Sequence, residues 1–85
     1  MSGYRVEFRP AAARQLRKIE PQARDRLRGA IALLAEDPRP PASRQLRGRP
    51  GWRVRVGDYR IIYTIEDGLL VVVVITIGHR REVYD

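Results

Sequence analysis

From Trp52 to Ile77 the chain writes three strand-length apolar runs, 52–56, 59–66 and 69–77, parted by Gly57-Asp58 and Asp67-Gly68. Short runs rich in Val, Ile and Tyr are strand-forming, and a Gly/Asp pair between two of them signals a tight turn, the second pair more strongly than the first. Such strands fold back on one another as an antiparallel meander. The first turn also sets the register. With a two-residue loop, Val56 faces Tyr59, Arg55 faces Arg60 and Val54 faces Ile61. Side chains alternate along a strand, so Arg53, Arg55 and Arg60 share one sheet face. Trp52, Val54, Val56, Tyr59, Ile61 and Tyr63 share the other. A tight turn at Asp67-Gly68 sets Glu66 opposite Leu69 and Arg60 opposite Ile75. The run 69–77 is apolar on both faces, as expected of a central strand covered on both sides.

The first half is built differently. Tyr4 to Phe8 alternates in strand fashion, with Tyr4, Val6 and Phe8 on one face. Pro10 ends that strand and suits a first helical position. Ala11 to Ile19 reads as a short helix with Leu16 and Ile19 inward. Pro21 opens a longer helix, in which Leu27, Ala30, Ile31 and Leu34 recur at helical spacing while Arg24, Asp25 and Arg28 face water. Asp37-Pro38 stops it. Residues 38–51, rich in Pro, Arg and Gly, read as a loop. The expectation is one α+β domain over residues 1–85: an N-terminal strand, a helical hairpin, then a three-strand antiparallel meander.

Seventeen basic residues against ten acidic give a net charge of +7, and Lys18 is the single lysine among them. A small domain with this excess is suited to polyanions, nucleic acid first. Arginine adds planar, bidentate phosphate recognition that lysine lacks. There is no cysteine, hence neither a disulfide framework nor a thiolate zinc site. No carboxylate–histidine cluster suggests a metal, and no cofactor is implied. No apolar stretch reaches the roughly 20 residues that span a bilayer, and no signal-peptide core opens the chain. A soluble cytoplasmic protein is expected.

The sharpest local anomaly is Arg55 opposite Arg60. Like charges directly opposed weaken a sheet, and no carboxylate in the two strands lies between them. A local rule broken without compensation marks a place where function is expected, and a bound phosphate would relieve the repulsion. The end of the last strand, Gly78, is expected near the Gly57-Asp58 turn. That gathers His79, Arg80, Arg81 and Tyr84 beside Arg55 and Arg60. The plainer alternative is a solvated strand face for Arg53 and Arg55, and a packing role for Tyr84.

Five segments in this order, Tyr4-Arg-Val-Glu-Phe, Ala11-Ala-Ala-Arg-Gln-Leu-Arg-Lys, Asp37-Pro38, Gly57-Asp-Tyr-Arg-Ile-Ile-Tyr63 and Gly78-His-Arg-Arg-Glu-Val-Tyr84, resemble the RelE/ParE superfamily of bacterial toxins, RelE most closely. The resemblance covers nearly the whole chain. It implies a type II toxin that enters the ribosomal A site and cuts mRNA there. It also implies a cognate RelB-like antitoxin, acidic where it meets the basic patch, and operator DNA bound only through that antitoxin. The family's basic positions fall on Arg53, Arg55 and Arg60, its C-terminal arginine most naturally on Arg80, and its C-terminal tyrosine on Tyr84. Arg80 and Arg81 are interchangeable on this evidence. Arg55, Arg60, Arg80 and Tyr84 are the expected catalytic residues, and Arg53, Arg81 and His79 the expected RNA contacts. RelE carries lysines in the first hairpin strand where this chain has arginines. Arginine stays protonated, which argues against a general base at those positions.

The chemistry suits the residues. RNA supplies its own nucleophile, the 2′-OH, so the protein must align the strand, balance charge on the phosphorane and move protons. Preorganised cations serve the second task. Tyr84, with an unperturbed pKa of about 10, fits an acid or a stacking platform, and His79 is the lone group that ordinarily titrates near neutrality. Two other functions share the fold: a ParE-like toxin that poisons gyrase by protein contact, and a catalytically inactive member.

Overall fold

The computed structural model describes residues 3–79. Its elements run β1 (Arg5–Phe8), α1 (Pro10–Lys18), α2 (Pro21–Glu36), β2 (Ser43–Gln45), β3 (Trp52–Val56), β4 (Tyr59–Glu66) and β5 (Val71–His79). The five strands form one sheet in the order β1-β5-β4-β3-β2, with β1 parallel to β5 and the rest antiparallel. The meander therefore sits at the centre, with β5 interior as its two-faced apolar pattern required. Both helices begin at a proline that supplies a helical φ without a wasted N–H. The Glu20 carboxylate caps α2 by accepting from the Ala23 amide at 2.8 Å.

The helices cover one sheet face. Ala12 and Leu16 of α1 and Leu27, Ile31 and Leu34 of α2 pack against Val54, Ile61, Tyr63, Val72, Val74 and Ile77. Fully burying such side chains contributes about 1.5–3 kcal/mol each, and this is the main stabilising term. Tyr63 is completely buried. Its hydroxyl donates to the Pro38 carbonyl at 2.7 Å, which pins the start of the long connection to the core. On the opposite face a smaller cluster joins Leu46, Ile62 and Ile75.

Five expectations need correction. Residues 38–51 are not all loop, because Ser43–Gln45 pairs with β3 as an edge strand. The turn after β4 is longer than two residues. Asp67–Leu69 forms a 3-10 turn, Leu70 takes the left-handed conformation at φ 56°, and Glu66 pairs with Val71. A bulge between Ile62 and Tyr63 shifts the register again, so Arg60 faces Gly78 and not Ile75. Tyr4 and Val6 pack on the core, but Phe8 is 39% exposed where β1 leaves the sheet. Arg24 is half-buried and not fully in water, with Nη1 donating to the Arg17 carbonyl at 3.5 Å.

Candidate active site

The Gly57-Asp58 turn forms as its sequence requires. Gly57 has φ 59°, a conformation glycine adopts without steric cost. The register follows: Val56 with Tyr59, Arg55 with Arg60, Val54 with Ile61. Arg53, Arg55 and Arg60 thus lie on the face away from the helices. There they line a basin of about 280 Å³ together with Ala42 and Arg44. Gly78 is the ladder partner of Arg60 and adds no side chain next to it.

Arg44 is the residue that sequence reasoning missed. It comes from β2, where it faces Arg53 directly across the ladder. The signal was a three-residue polar segment after two prolines, which carries no apolar alternation to mark a strand. Arg44 Nη1 donates to the carbonyls of Pro41 and Ser43 at 3.2 and 3.1 Å. Ser43 itself is buried and its hydroxyl donates to the Pro40 carbonyl at 2.7 Å. The edge strand is therefore tied down at its root.

The electrostatics of the basin are those of concentrated positive charge. Burial, and then the neighbouring charges of Arg60, Arg55, Arg44 and Arg47, push the Arg53 pKa below the usual guanidinium value. Arginine remains charged at neutral pH all the same. Such a site offers an anion several guanidinium donors whose repulsion it relieves.

A second arginine stands in the opposite setting. Arg39 donates from Nη1 and Nη2 to Asp67 Oδ1 and Oδ2 at 3.2 and 2.8 Å, and Tyr4 Oη donates to Asp67 Oδ1 at 2.7 Å. The Arg39 guanidinium also lies 5.5 Å from the centroid of the Trp52 ring, within cation–π range. Arg39 first, then Tyr4, lower the Asp67 pKa to about 2. This clamp ties β1, the long connection and the β4–β5 turn together. Sequence reading had seen Asp67 only as a turn residue.

His79 does not join the arginines. It pairs with Tyr59, which faces the helices, and their rings meet edge-on at 5.9 Å. His79 lines a separate cavity of about 370 Å³ with Gln15, Lys18, Ile19, Tyr59, Ile77 and Gly78. Gln15 Oε1 there accepts from the Ile77 amide at 2.8 Å. The longer β4–β5 turn shifts the register by two residues and keeps the faces, so it is the one-residue bulge that sets His79 on this side of the sheet. Arg80, Arg81 and Tyr84 lie outside the described residues. Among the described residues, no three His, Cys, Asp or Glu side chains gather to hold a metal, and no helix is long and apolar enough to cross a membrane.

A family model described as the ParE toxin of the type II toxin–antitoxin system, parDE, matches residues 6–84. The chain belongs to the RelE/ParE toxin superfamily. The mRNA interferase toxin RelE of Escherichia coli (strain K12) is 34% identical over 86 aligned residues, spanning 95% of this chain and 90% of that protein. The toxin–antitoxin complex RelBE2 of Mycobacterium tuberculosis contains a chain that superposes with a TM-score of 0.81 at 30% identity, covering 92% of this chain and 99% of that one. The intact E. coli RelBE toxin–antitoxin complex gives a TM-score of 0.80 at 30% identity, with 89% and 95% covered. The superfamily's α+β architecture is thus the one described above, with five strands where the sequence suggested four.

Proposed function

We propose that this toxin is a ribosome-dependent endoribonuclease that cuts mRNA in the A site and so stops translation. The observation that carries the reading is the convergence of Arg44, Arg53, Arg55 and Arg60 from three strands on one basin, in a chain similar to a protein named mRNA interferase. In the proposed reaction the 2′-oxygen attacks the adjacent phosphorus and the P–O5′ bond breaks. The products are a 2′,3′-cyclic phosphate and a 5′-hydroxyl. One proton leaves the 2′-OH and one reaches the 5′-oxygen. Since the nucleophile belongs to the substrate, the step calls for no metal-activated water. Arg55 and Arg60 stabilise the phosphorane charge, a kind of interaction that often supplies the largest share of catalysis. Arg53 holds the strand, and Arg80, Arg81 and Tyr84 complete the site in this reading, Tyr84 as the acid for the leaving oxygen or as a stacking platform.

The partner in this reading is a cognate RelB-like antitoxin in the cytoplasm that sets acidic side chains against the arginines, with association that weakens as salt rises. Operator DNA is reached through the antitoxin. Induction of the chain in a bacterium followed by mapping of mRNA 5′ ends tests the function. In-frame cuts confined to translated messages are expected, and their absence overturns the reading. The match to a family model described as ParE favours one alternative, a toxin that poisons gyrase by protein contact. Lost supercoiling with intact mRNA would establish it.

A further inference from the structure

The basin is lined by two opposed arginine pairs. Arg55 faces Arg60 across β3 and β4, and Arg44 faces Arg53 across β2 and β3. Facing residues in an antiparallel ladder have Cα atoms about 4.5–5.5 Å apart, so two long guanidinium side chains on one face can close on a single anion. Arg53 and Arg55 are two residues apart on β3, which spaces the pairs by about 7 Å along the strand. Consecutive phosphates of an extended RNA strand are separated by one ribose and its linking oxygens, a comparable span. The rim is also preorganised, since the two carbonyls that accept from Arg44 Nη1 restrict where its guanidinium can go.

We propose that the basin seats two consecutive phosphates of one extended RNA strand, the Arg55–Arg60 pair taking one and the Arg44–Arg53 pair its neighbour. Arg44 is then a binding residue in its own right. Which phosphate is scissile rests on the endoribonuclease reading above, but occupancy of the two seats does not. The minimal ligand is a trinucleoside diphosphate, and a dinucleoside monophosphate fills one seat only.

The test uses 2′-O-methyl oligouridines, which cannot be cleaved, with the full-length chain. The trinucleoside diphosphate is expected to bind on the order of tenfold more tightly than the dinucleoside monophosphate, the increment of one charge-assisted contact. Arg44→Gln is expected to abolish that increment, and Arg44→Lys to keep most of it. Arg28→Gln, the same charge change on the exposed side of α2, is expected to leave it intact and so excludes a general charge effect. Equal binding of the two ligands by the wild type, no binding of either, or a full increment in Arg44→Gln overturns the proposal. Cleavage is read separately. A chain that shows the increment and cuts no mRNA keeps the two seats and loses the endoribonuclease reading, and the reverse result does the opposite.

Discussion

The Arg39 clamp, at a connection and a turn, and the four-arginine basin, on the strands, are both built from charged side chains, and they follow opposite electrostatic designs. Arg39 meets a carboxylate in a two-point contact, with a tyrosine hydroxyl on the same acid and an aromatic ring beneath the guanidinium. In the basin, arginine faces arginine twice across the ladder. The clamp raises the Arg39 pKa through the Asp67 hydrogen bond, whereas the basin lowers that of Arg53 through burial and like charge. Charge that is matched at home serves the fold. Charge set against its own kind across the ladder is, in the proposed function, the seat of an RNA phosphate. The two regions are joined, because the connection that the clamp anchors carries β2 and with it Arg44.

The contrast can be broken most decisively at the basin. Arg60→Ala is expected to cut ribosome-dependent mRNA cleavage by on the order of 10²–10³-fold, as for loss of one transition-state contact. A large loss of stability with cleavage retained would reverse the assignment.

The next effect falls where the clamped connection meets the sheet. Gly51 has φ 130°, and a Cβ there would lie 2.9 Å from Leu46 Cδ1 and 3.3 Å from the Tyr63 carbonyl. Gly51→Ala should cost about 1–3 kcal/mol in urea unfolding, and binding should weaken further through a displaced β2. Tyr63→Phe is a smaller change, expected at about 1 kcal/mol by the same measurement. It removes the hydroxyl that donates to Pro38 while keeping the packed ring.

The smallest effect is expected at the clamp, which lies in solvent. Asp67→Asn should lower the melting temperature slightly at neutral pH. The wild-type advantage should be complete above the ordinary carboxylate pKa of 3.8 and vanish as pH falls through about 2, the folded-state value. An advantage that persisted at still lower pH would mean that Asp67 acts other than through its charge.

Much of this was legible in the sequence for identifiable reasons. Gly57-Asp58 encodes its turn locally, so the Arg55–Arg60 opposition could be read with its register. Helix starts at Pro10 and Pro21 are likewise local. What escaped depends on contacts far apart in the chain. β2 exists because β3 offers it a ladder, not because Ser43-Arg44-Gln45 is strand-like. Asp67-Gly68 carries a tight-turn signature, yet the left-handed residue of that turn is Leu70, while Arg39 and Tyr4 hold the Asp67 side chain. Of the seven site residues expected, Arg53, Arg55 and Arg60 come together and His79 is turned away.

The bulge near Ile62 has a consequence of its own. Upstream of it Val72 and Val74 point to the helices, and downstream Ile77 does so as well, because Ile75 and Thr76 both fall on Ile62's side of the sheet. Two residues, not one or three, lie between Val74 and Ile77. One inserted residue thus acts as a parity switch for the strand. A single-residue deletion at Ile75 or Thr76 that closed the bulge would leave His79 opposite Tyr59 on the helix side, whereas the undeleted strand paired without a bulge would carry the imidazole to the arginine side. The extra residue, and no side chain of the basin, therefore decides which residues of the last strand stand next to the arginines.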